Sequence, residues 1–223
     1  MAYHIKSLNK GVQIGPDNVS ILLYADDMVF IADTEKDLQN MLNCMYEWAR
    51  KWRLKVNVDK SNIIHFRNSR TRLTEFRFKY GLQNLETCKS YKYLGIYLDE
   101  HLNFTKCTEL LSESASRALG SIISKFKSMK DTGYVTYTKL FDAGVLSILN
   151  YGAEVWGHGK YPKCDLVMNK AMRHFLGVHK FAPTAAVQGD MGWMSIKFHR
   201  YIDMLRFWNR MLKMDNTRLV MGL

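Results

Sequence analysis

The chain has 223 residues and a formal net charge of +11, and 47% of its residues are hydrophobic. This length can bury a core and form one large or two small domains. No apolar run approaches the roughly 18–20 residues that cross a bilayer, and no signal-peptide pattern is present. We therefore expect an intracellular protein, nuclear or cytoplasmic, without a membrane partner. Four scattered cysteines exclude a Cys-x-x-Cys zinc site and fit a reducing compartment.

Charge is unevenly distributed along the chain. Residues 1–49 hold 3 Lys/Arg and 7 Asp/Glu, whereas residues 50–79 hold 10 Lys/Arg against Asp59 and Glu75. An acidic segment followed directly by a basic one can bind cations beside a nucleic-acid backbone. This density of positive charge favours a polyanionic partner.

The first informative segment is Tyr24-Ala25-Asp26-Asp27, where two carboxylates interrupt an apolar run. Burying an ionised carboxylate costs several kcal/mol unless it is paired or bound to a metal. We predict a tight β-hairpin with a buried strand at about 19–25, the acidic pair at the turn and a return strand at about 28–32. The pair then forms either a solvated turn or a ligand for a cation such as Mg²⁺.

Thr34 begins the next predicted element, because its hydroxyl can cap a helix whose third residue is Asp37. Apolar residues recur at helical spacing over about 35–52, which predicts a helix with one face in the core. A short strand is predicted at about 63–66, and helices are predicted beyond residue 103, near 134–156, 161–175 and 195–214.

Between these regions, cations alternate with aromatic residues. The cations are either phosphate contacts or the solvated side of a hairpin, and the aromatic side chains are expected to face the core. The cations are Arg67, Arg70, Arg72, Arg77 and Lys79, and the aromatic residues are Phe66, Phe76, Phe78 and Tyr80.

Three of these segments resemble motifs of the reverse transcriptases of non-LTR (LINE-type) retrotransposons. YADD at 24–27 resembles motif C, RLKVNVDKSNIIHF at 53–66 resembles motif D, and YKYLGIYLD at 91–99 resembles motif E, the primer grip. They occur in the family's order, and segments at 134–156, 173–193 and 198–212 are similar to the region downstream of the palm. The resemblance implies an α+β fold. It would comprise the C-terminal part of a polymerase palm at 1–102, an antiparallel hairpin sheet with a helix, followed by an all-α thumb-like region at 103–223.

The resemblance also implies a reaction, which is the addition of a dNTP to a DNA primer on an RNA template with two Mg²⁺ (or Mn²⁺) ions. Asp26 and Asp27 would bind metal, and Tyr24 would lie near the primer terminus or the nucleotide. Lys60 would act as a general acid on the leaving pyrophosphate, or would be an ordinary surface lysine. Tyr93, Leu94 and Gly95 would support the primer strand, although Gly95 can also mark a bulge.

One family feature is not found in this sequence. Motif A, which supplies another metal-binding aspartate, would precede motif C, but upstream of Tyr24 the sole acidic residue is Asp17, in a Gly-Pro-Asp-Asn turn. We therefore expect an incomplete two-metal site in a fragment that is inactive alone. The alternative is a basic nucleic-acid-binding remnant, or a truncated product without function. The oligomeric state is left open.

Overall fold

The structure is a computed structural model that describes residues 1–128 and 133–214, without the side chains of residues 127 and 128. It is a mixed α and β fold with small antiparallel hairpins and several helices, as predicted. The described chain divides into two compact units. Unit 1 comprises Met1–Tyr91, Asp99–Leu102 and residues 211–214, and unit 2 comprises Lys92–Leu98 and, around the gap, Asn103–Arg210.

The elements up to residue 102 are short except for one helix. They are α1 (Ala2–Ser7), β1 (Val12–Ile14), β2 (Asp17–Val19), β3 (Ile21–Tyr24), β4 (Asp27–Phe30), α2 (Glu35–Lys51), a 3₁₀ turn (Val58–Lys60), β5 (Asn62–Ile63), β6 (Lys79–Tyr80), β7 (Gln83–Asn84), β8 (Glu86–Thr87), β9 (Ser90–Tyr93) and β10 (Ile96–Asp99).

Helix α2 organises unit 1, and its predicted start is confirmed. Thr34 Oγ1 accepts a hydrogen bond of 3.1 Å from the Asp37 N–H, which satisfies one of the free amides at the helix start. The Lys10 ammonium is hydrogen-bonded to Asp37 and lowers the pKa of that carboxyl. This contact therefore stabilises the fold above the ordinary pKa of an aspartate, and the stabilisation is lost as the pH falls through the lowered value.

Two faces of α2 pack against the rest of unit 1. Met41 contacts Ile5 and Ile21 in one apolar cluster, and Leu42 contacts Phe78 in another, which also holds Ile63 and Leu85. The β3–β4 hairpin and the cation-rich segment are thus anchored on a single helix. The prediction that the aromatic residues face the core is right for Phe76, Phe78 and Tyr80, whereas Phe66 is exposed.

The strands differ from the prediction in two respects. Within the described residues they form five separate two-stranded ladders rather than one sheet, and β5 pairs with β8 in parallel. The strand predicted to be buried is buried only up to Ile21, while Leu22, Leu23 and Tyr24 are exposed. The reason is that β3 pairs with β4 alone, so only the Ile21 end of the hairpin contacts a core cluster. The strand predicted at 63–66 is shorter, Asn62–Ile63.

The helices beyond residue 103 agree with the prediction, with one addition and one break. Gly152 adopts a left-handed φ of +67° and separates α5 from α6, which ends the predicted 134–156 helix early. Helix α8 was not predicted. The elements are α3 (Thr105–Ser128), α4 (Tyr134–Phe141), a π-helical turn (Asp142–Leu146), α5 (Ser147–Leu149), α6 (Ala153–Trp156), α7 (Pro162–Leu176), α8 (Thr184–Met191) and α9 (Ile196–Leu212).

The core of unit 2 is built around α3, α4 and α7. Ala115, Leu119 and Ala171 are fully buried there beside Tyr137. The Tyr137 hydroxyl donates a hydrogen bond of 2.8 Å to the Ala171 carbonyl, and burial raises the pKa of Tyr137 to about 12. All four cysteines are free thiols. Among the described helices, none has the length and apolarity needed to span a bilayer.

Candidate functional site

The turn between β3 and β4 presents both predicted metal ligands. Tyr24 pairs directly with Asp27, so Ala25 and Asp26 form a two-residue loop. Ala25 adopts a φ of +51°, a left-handed conformation that costs a non-glycine residue about 1–2 kcal/mol. All four side chains are exposed. Within the described residues, no ion pair or hydrogen bond engages either carboxylate. Strain of this kind is concentrated at functional sites, so the turn is our first candidate.

The turn by itself is not a complete metal site. In the part of the chain that the structure describes, no group of three or more His, Cys, Asp or Glu side chains is arranged to hold a metal ion. Mg²⁺ commonly takes one or two protein carboxylates together with substrate phosphates and water. The oxygen donors of Asp26 and Asp27 fit such a shared site, and they do not fit a site made by protein ligands alone.

Lys60 ends the 3₁₀ turn, and its backbone is held on both sides. Its N–H donates to Asn57 Oδ1 at 3.3 Å, and its carbonyl accepts a hydrogen bond of 2.9 Å from the Tyr91 hydroxyl. The side chain itself is exposed and makes no ion pair among the described residues. This arrangement fixes the Lys60 backbone and leaves its ammonium free to bind an anion. It is compatible with both interpretations of Lys60, a general acid and an ordinary surface lysine.

The cation-rich segment is docked on α2 through its backbone. The Gln39 side chain makes two hydrogen bonds to the Lys79 backbone. The Lys79 N–H donates to Gln39 Oε1 at 2.9 Å, and Gln39 Nε2 donates to the Lys79 carbonyl at 2.8 Å. Thr74 is hydrogen-bonded to Glu35. Over most of its length the segment has no regular structure, apart from β6, so the predicted hairpin is confined to β6 and β7. Four of the five predicted cations are exposed: Arg70, Arg72, Arg77 and Lys79.

Arg67 differs from the other four cations. Its Nη2 lies 3.0 Å from Glu100 Oε2, and only 12% of its side chain and 8% of that of Glu100 are exposed. Its Nη1 donates to the Thr71 carbonyl at 2.7 Å, and its backbone N–H donates to the Glu100 carbonyl at 3.0 Å. Arg67 therefore has a structural contact that ties two parts of unit 1 together, and its role as a phosphate contact stays a prediction.

The turn between β9 and β10 is held by a tyrosine that lies far along the chain. Leu94 and Gly95 have φ values of +47° and +86°, as both central residues of a type I′ hairpin turn require. The Tyr151 hydroxyl donates to the Leu94 carbonyl at 2.8 Å. A Cβ placed on Gly95 would lie 2.8 Å from Tyr151 Cε1. Gly95 thus permits a close approach of the Tyr151 ring, and Tyr93 beside it is half-buried.

The predicted site residues fall into the two units. The β3–β4 turn, Lys60 and the exposed cations belong to unit 1, and the tip of the β9–β10 hairpin belongs to unit 2. Two contacts of this site were missed by sequence reasoning, the Tyr151 anchor and the Glu100 partner. No sequence pattern indicated Glu100 as the partner of Arg67. The Tyr151 anchor was indicated only by Gly95, because a glycine in a strand marks a bulge or a close approach of another group.

Comparison with known proteins gives a family match for the first part of the chain. Residues 1–98 match the family Reverse transcriptase (RNA-dependent DNA polymerase). Over these residues the chain is similar to the reverse transcriptases. The match contains the β3–β4 turn, Lys60, the exposed cations and the β9–β10 turn, so every predicted site residue lies inside the reverse transcriptase segment.

The similar proteins come from mobile elements. The RNA-directed DNA polymerase from mobile element jockey of Drosophila melanogaster is 20% identical over 188 residues, which is 80% of this chain and 20% of that protein. Its counterpart in Drosophila funebris is 24% identical over 78% of this chain and 20% of its own length. These matches support a non-LTR reverse transcriptase. An uncharacterized Caenorhabditis elegans protein, described as transposon-derived, is 26% identical over 67% of this chain and 53% of its own length.

The chain thus spans about a fifth of the length of the jockey polymerases and about half of that of the worm protein. No solved structure matches it.

Replacing Gly95 with alanine tests the Tyr151 anchor. The added Cβ meets the Tyr151 ring and also imposes a positive φ on a residue with a side chain, so we expect Gly95→Ala to lower the free energy of unfolding by about 1–3 kcal/mol. Gly120, inside α3, is the matched control, since a Cβ there meets nothing within 4 Å. Gly120→Ala should raise stability by about 0.5–1 kcal/mol. Equal effects of the two variants in urea unfolding would contradict the anchor.

Replacing Arg67 with glutamine separates structure from binding. Because Arg67→Gln leaves the Glu100 carboxylate buried without its main partner, we expect a loss of about 3 kcal/mol in the free energy of unfolding. Arg70→Gln removes an exposed cation and should change stability by less than about 0.5 kcal/mol. Thermal and urea unfolding of the two variants check this. An Arg67→Gln variant as stable as Arg70→Gln would show that the ion pair is not structural.

Proposed function

We propose that this chain contributes a metal-binding turn and a nucleic-acid-binding surface to an RNA-directed DNA polymerase of a LINE-type element. The observation that carries the proposal is the strained, exposed β3–β4 turn. It presents Asp26 and Asp27 without any partner among the described residues, inside a segment that is similar to the reverse transcriptases. A left-handed residue after Tyr24 is what any two-residue hairpin loop requires, but a turn that served only to connect two strands would not need two adjacent exposed carboxylates.

In this proposal, Asp26 and Asp27 hold the divalent cations, with Asp26 as the main ligand. Bound Mg²⁺ would supply charge stabilisation to the attacking and leaving oxygens of phosphoryl transfer. Tyr24, exposed at the end of β3, lies beside the primer terminus or the incoming nucleotide. Lys60 holds a proton on its exposed ammonium for the leaving pyrophosphate. The backbone contacts of Lys60 to Asn57 and Tyr91 fix the position of its backbone.

In this proposal, the exposed cations form a positively charged surface that binds the template and the primer. Arg70, Arg72, Arg77 and Lys79 project from a segment that is tied to α2 by the hydrogen bonds of Gln39 to the Lys79 backbone and by the hydrogen bond between the Thr74 and Glu35 side chains. Ordered cations lose less conformational entropy on binding than cations on a free loop. The β9–β10 tip, with Tyr93, Leu94 and Gly95, supports the primer strand, and Tyr151 holds that tip in shape.

We infer that the described residues do not complete a polymerase site. Two cations about 3.5–4 Å apart each need several oxygen ligands, and the turn offers two carboxylates, with no third metal-binding side chain grouped with them in the described chain. The remaining ligands then come from substrate phosphates and from protein outside the described residues. The isolated chain is therefore expected to bind an RNA–DNA duplex without extending the primer.

Duplex binding and primer extension test the proposal together. Fluorescence anisotropy with an RNA–DNA duplex should show salt-dependent binding. Neutralising Arg70, Arg72, Arg77 and Lys79 to glutamine should reduce the salt slope by up to about 0.9 for each cation that contacts a phosphate. The control variant neutralises four other exposed cations, so that both variants carry the same net charge. These are Lys6, Lys36, Lys51 and Lys139.

Three results would count against the proposal. Absence of binding at low salt would remove the nucleic-acid surface, and equal slopes in the two variants would assign binding to net charge alone. In primer extension with Mg²⁺ or Mn²⁺, the chain alone should incorporate no nucleotide. Incorporation that Asp26→Ala abolishes would contradict the incomplete site, while supporting Asp26 as a metal ligand.

A further inference from the structure

Helix α9 carries a continuous apolar stripe that faces away from the protein. The side chains of Phe198, Tyr201, Leu205, Trp208 and Leu212 are all exposed, and Leu205 is 67% exposed. Their spacing along the helix alternates between three and four residues. A helix has 3.6 residues per turn, so these five side chains form one row along its length. We call this row the α9 stripe.

The α9 stripe is not the side by which the helix packs on unit 2. That side holds Ile196 and Arg200, which are almost completely buried, and Asp203, whose Oδ2 accepts a hydrogen bond of 3.2 Å from Asn150. The Arg200 guanidinium lies over the Trp156 ring at 4.9 Å. At 100° per residue these positions are roughly opposite Leu205. The fold of unit 2 therefore does not need the apolar stripe.

The spacing of the residues in the α9 stripe indicates which kind of partner it would bind. Alternation of three and four residues is the pattern of a and d positions in a coiled coil, whose partner is another α-helix. The neighbouring e and g positions within the stripe carry no charge, since they are Ile202, Met204, Asn209 and Met211. Charges at these positions normally decide between like and unlike partners. Between Phe198 and Leu212 no like charges at these positions repel an identical helix, and Lys197 occupies the g position just before the stripe.

Two arginines of α9 argue against nucleic acid as the occupant. Arg206 and Arg210 lie on another side of the helix, where they line a cavity of about 230 Å³ together with Glu154 and Asp203. Arg206 Nη1 is 3.4 Å from Asp203 Oδ1. A single-stranded nucleic acid needs cations beside successive stacking aromatic rings, whereas Arg206 is directed to Asp203 and Arg210 lies over the Phe207 ring at 5.0 Å. Beside the stripe, Lys197 lies over the Tyr201 ring at 5.3 Å, and one such cation is too few to follow a nucleic-acid backbone.

The area of the stripe matches what a modest dimer needs. Taking roughly 200 Å² for each large side chain and about half of that as exposed, the stripe offers on the order of 500 Å² per copy. Two copies would bury about 1,000 Å², the lower limit for a specific interface. We propose that two copies of this chain pair through the α9 stripe and form a homodimer. This proposal does not depend on the polymerase function.

The mass of the full chain in solution tests the dimer. Sedimentation equilibrium at about 1–100 μM should show the wild type moving from the chain mass of 26.0 kDa towards twice that mass. Leu205→Glu places a charge at the centre of the stripe and should remain at 26.0 kDa. The matched control is Leu166→Glu on α7, because Leu166 is 65% exposed and lies outside the stripe. It should dimerise like the wild type.

A crosslinking experiment tests the dimer without introducing a charge into the α9 stripe. Leu205 lies at the middle of the stripe, so Leu205→Cys should crosslink to its copy through a short bismaleimide, whereas Leu166→Cys should crosslink no more than the wild type. A wild type that is monomeric throughout this range would overturn the proposal. So would equal masses for the two glutamate variants. A monomer whose duplex affinity falls in Leu205→Glu alone would assign the stripe to nucleic acid and also overturn it.

Discussion

An ionised carboxylate costs several kcal/mol to bury without a partner or a cation, and this constraint determines how the β3–β4 hairpin lies in unit 1. The apolar end of the hairpin, at Ile21, packs against Ile5 and Met41. The other end, at Asp26 and Asp27, lies in solvent. Because strands are rigid over four residues, the exposed tip also carries Leu22 and Leu23 into solvent.

The two hairpin tips of the reverse transcriptase segment are built in a similar way. Each is a two-residue loop that begins with a left-handed non-glycine residue, Ala25 in one and Leu94 in the other. Such residues persist only where the surroundings hold them. Leu94 is held by the hydrogen bond that its carbonyl accepts from the Tyr151 hydroxyl. Tyr151 lies outside the matched family segment, so a residue beyond that segment helps to shape a turn within it. In the proposed function, this contact makes the helical unit a support for the primer-binding hairpin.

Sequence reasoning succeeded where the determinant is local. The Thr34–Asp37 cap, the extent of α2 and the acidic turn follow from residues within a few positions of one another. It failed where the structure depends on residues far apart in the chain, or on contacts that leave no periodic pattern in the sequence. The Arg67–Glu100 pair joins residues 33 positions apart, and the exposure of β3 depends on which strands pair with it. Helix α8 buries only Val187 and Met191, too few for a periodic signal. The roles of the site residues stay predictions.

Whether the Tyr24–Asp27 turn binds divalent cations can be tested with Mn²⁺. Paramagnetic Mn²⁺, added to labelled protein with an RNA–DNA duplex and a dNTP, broadens the amide NMR signals of residues near its binding site. We expect selective broadening at residues 24–28 that Asp26→Asn with Asp27→Asn removes, while an Asp17→Asn control retains it. Broadening that is centred elsewhere, or that survives the double substitution, would show that the Tyr24–Asp27 turn is not the cation site.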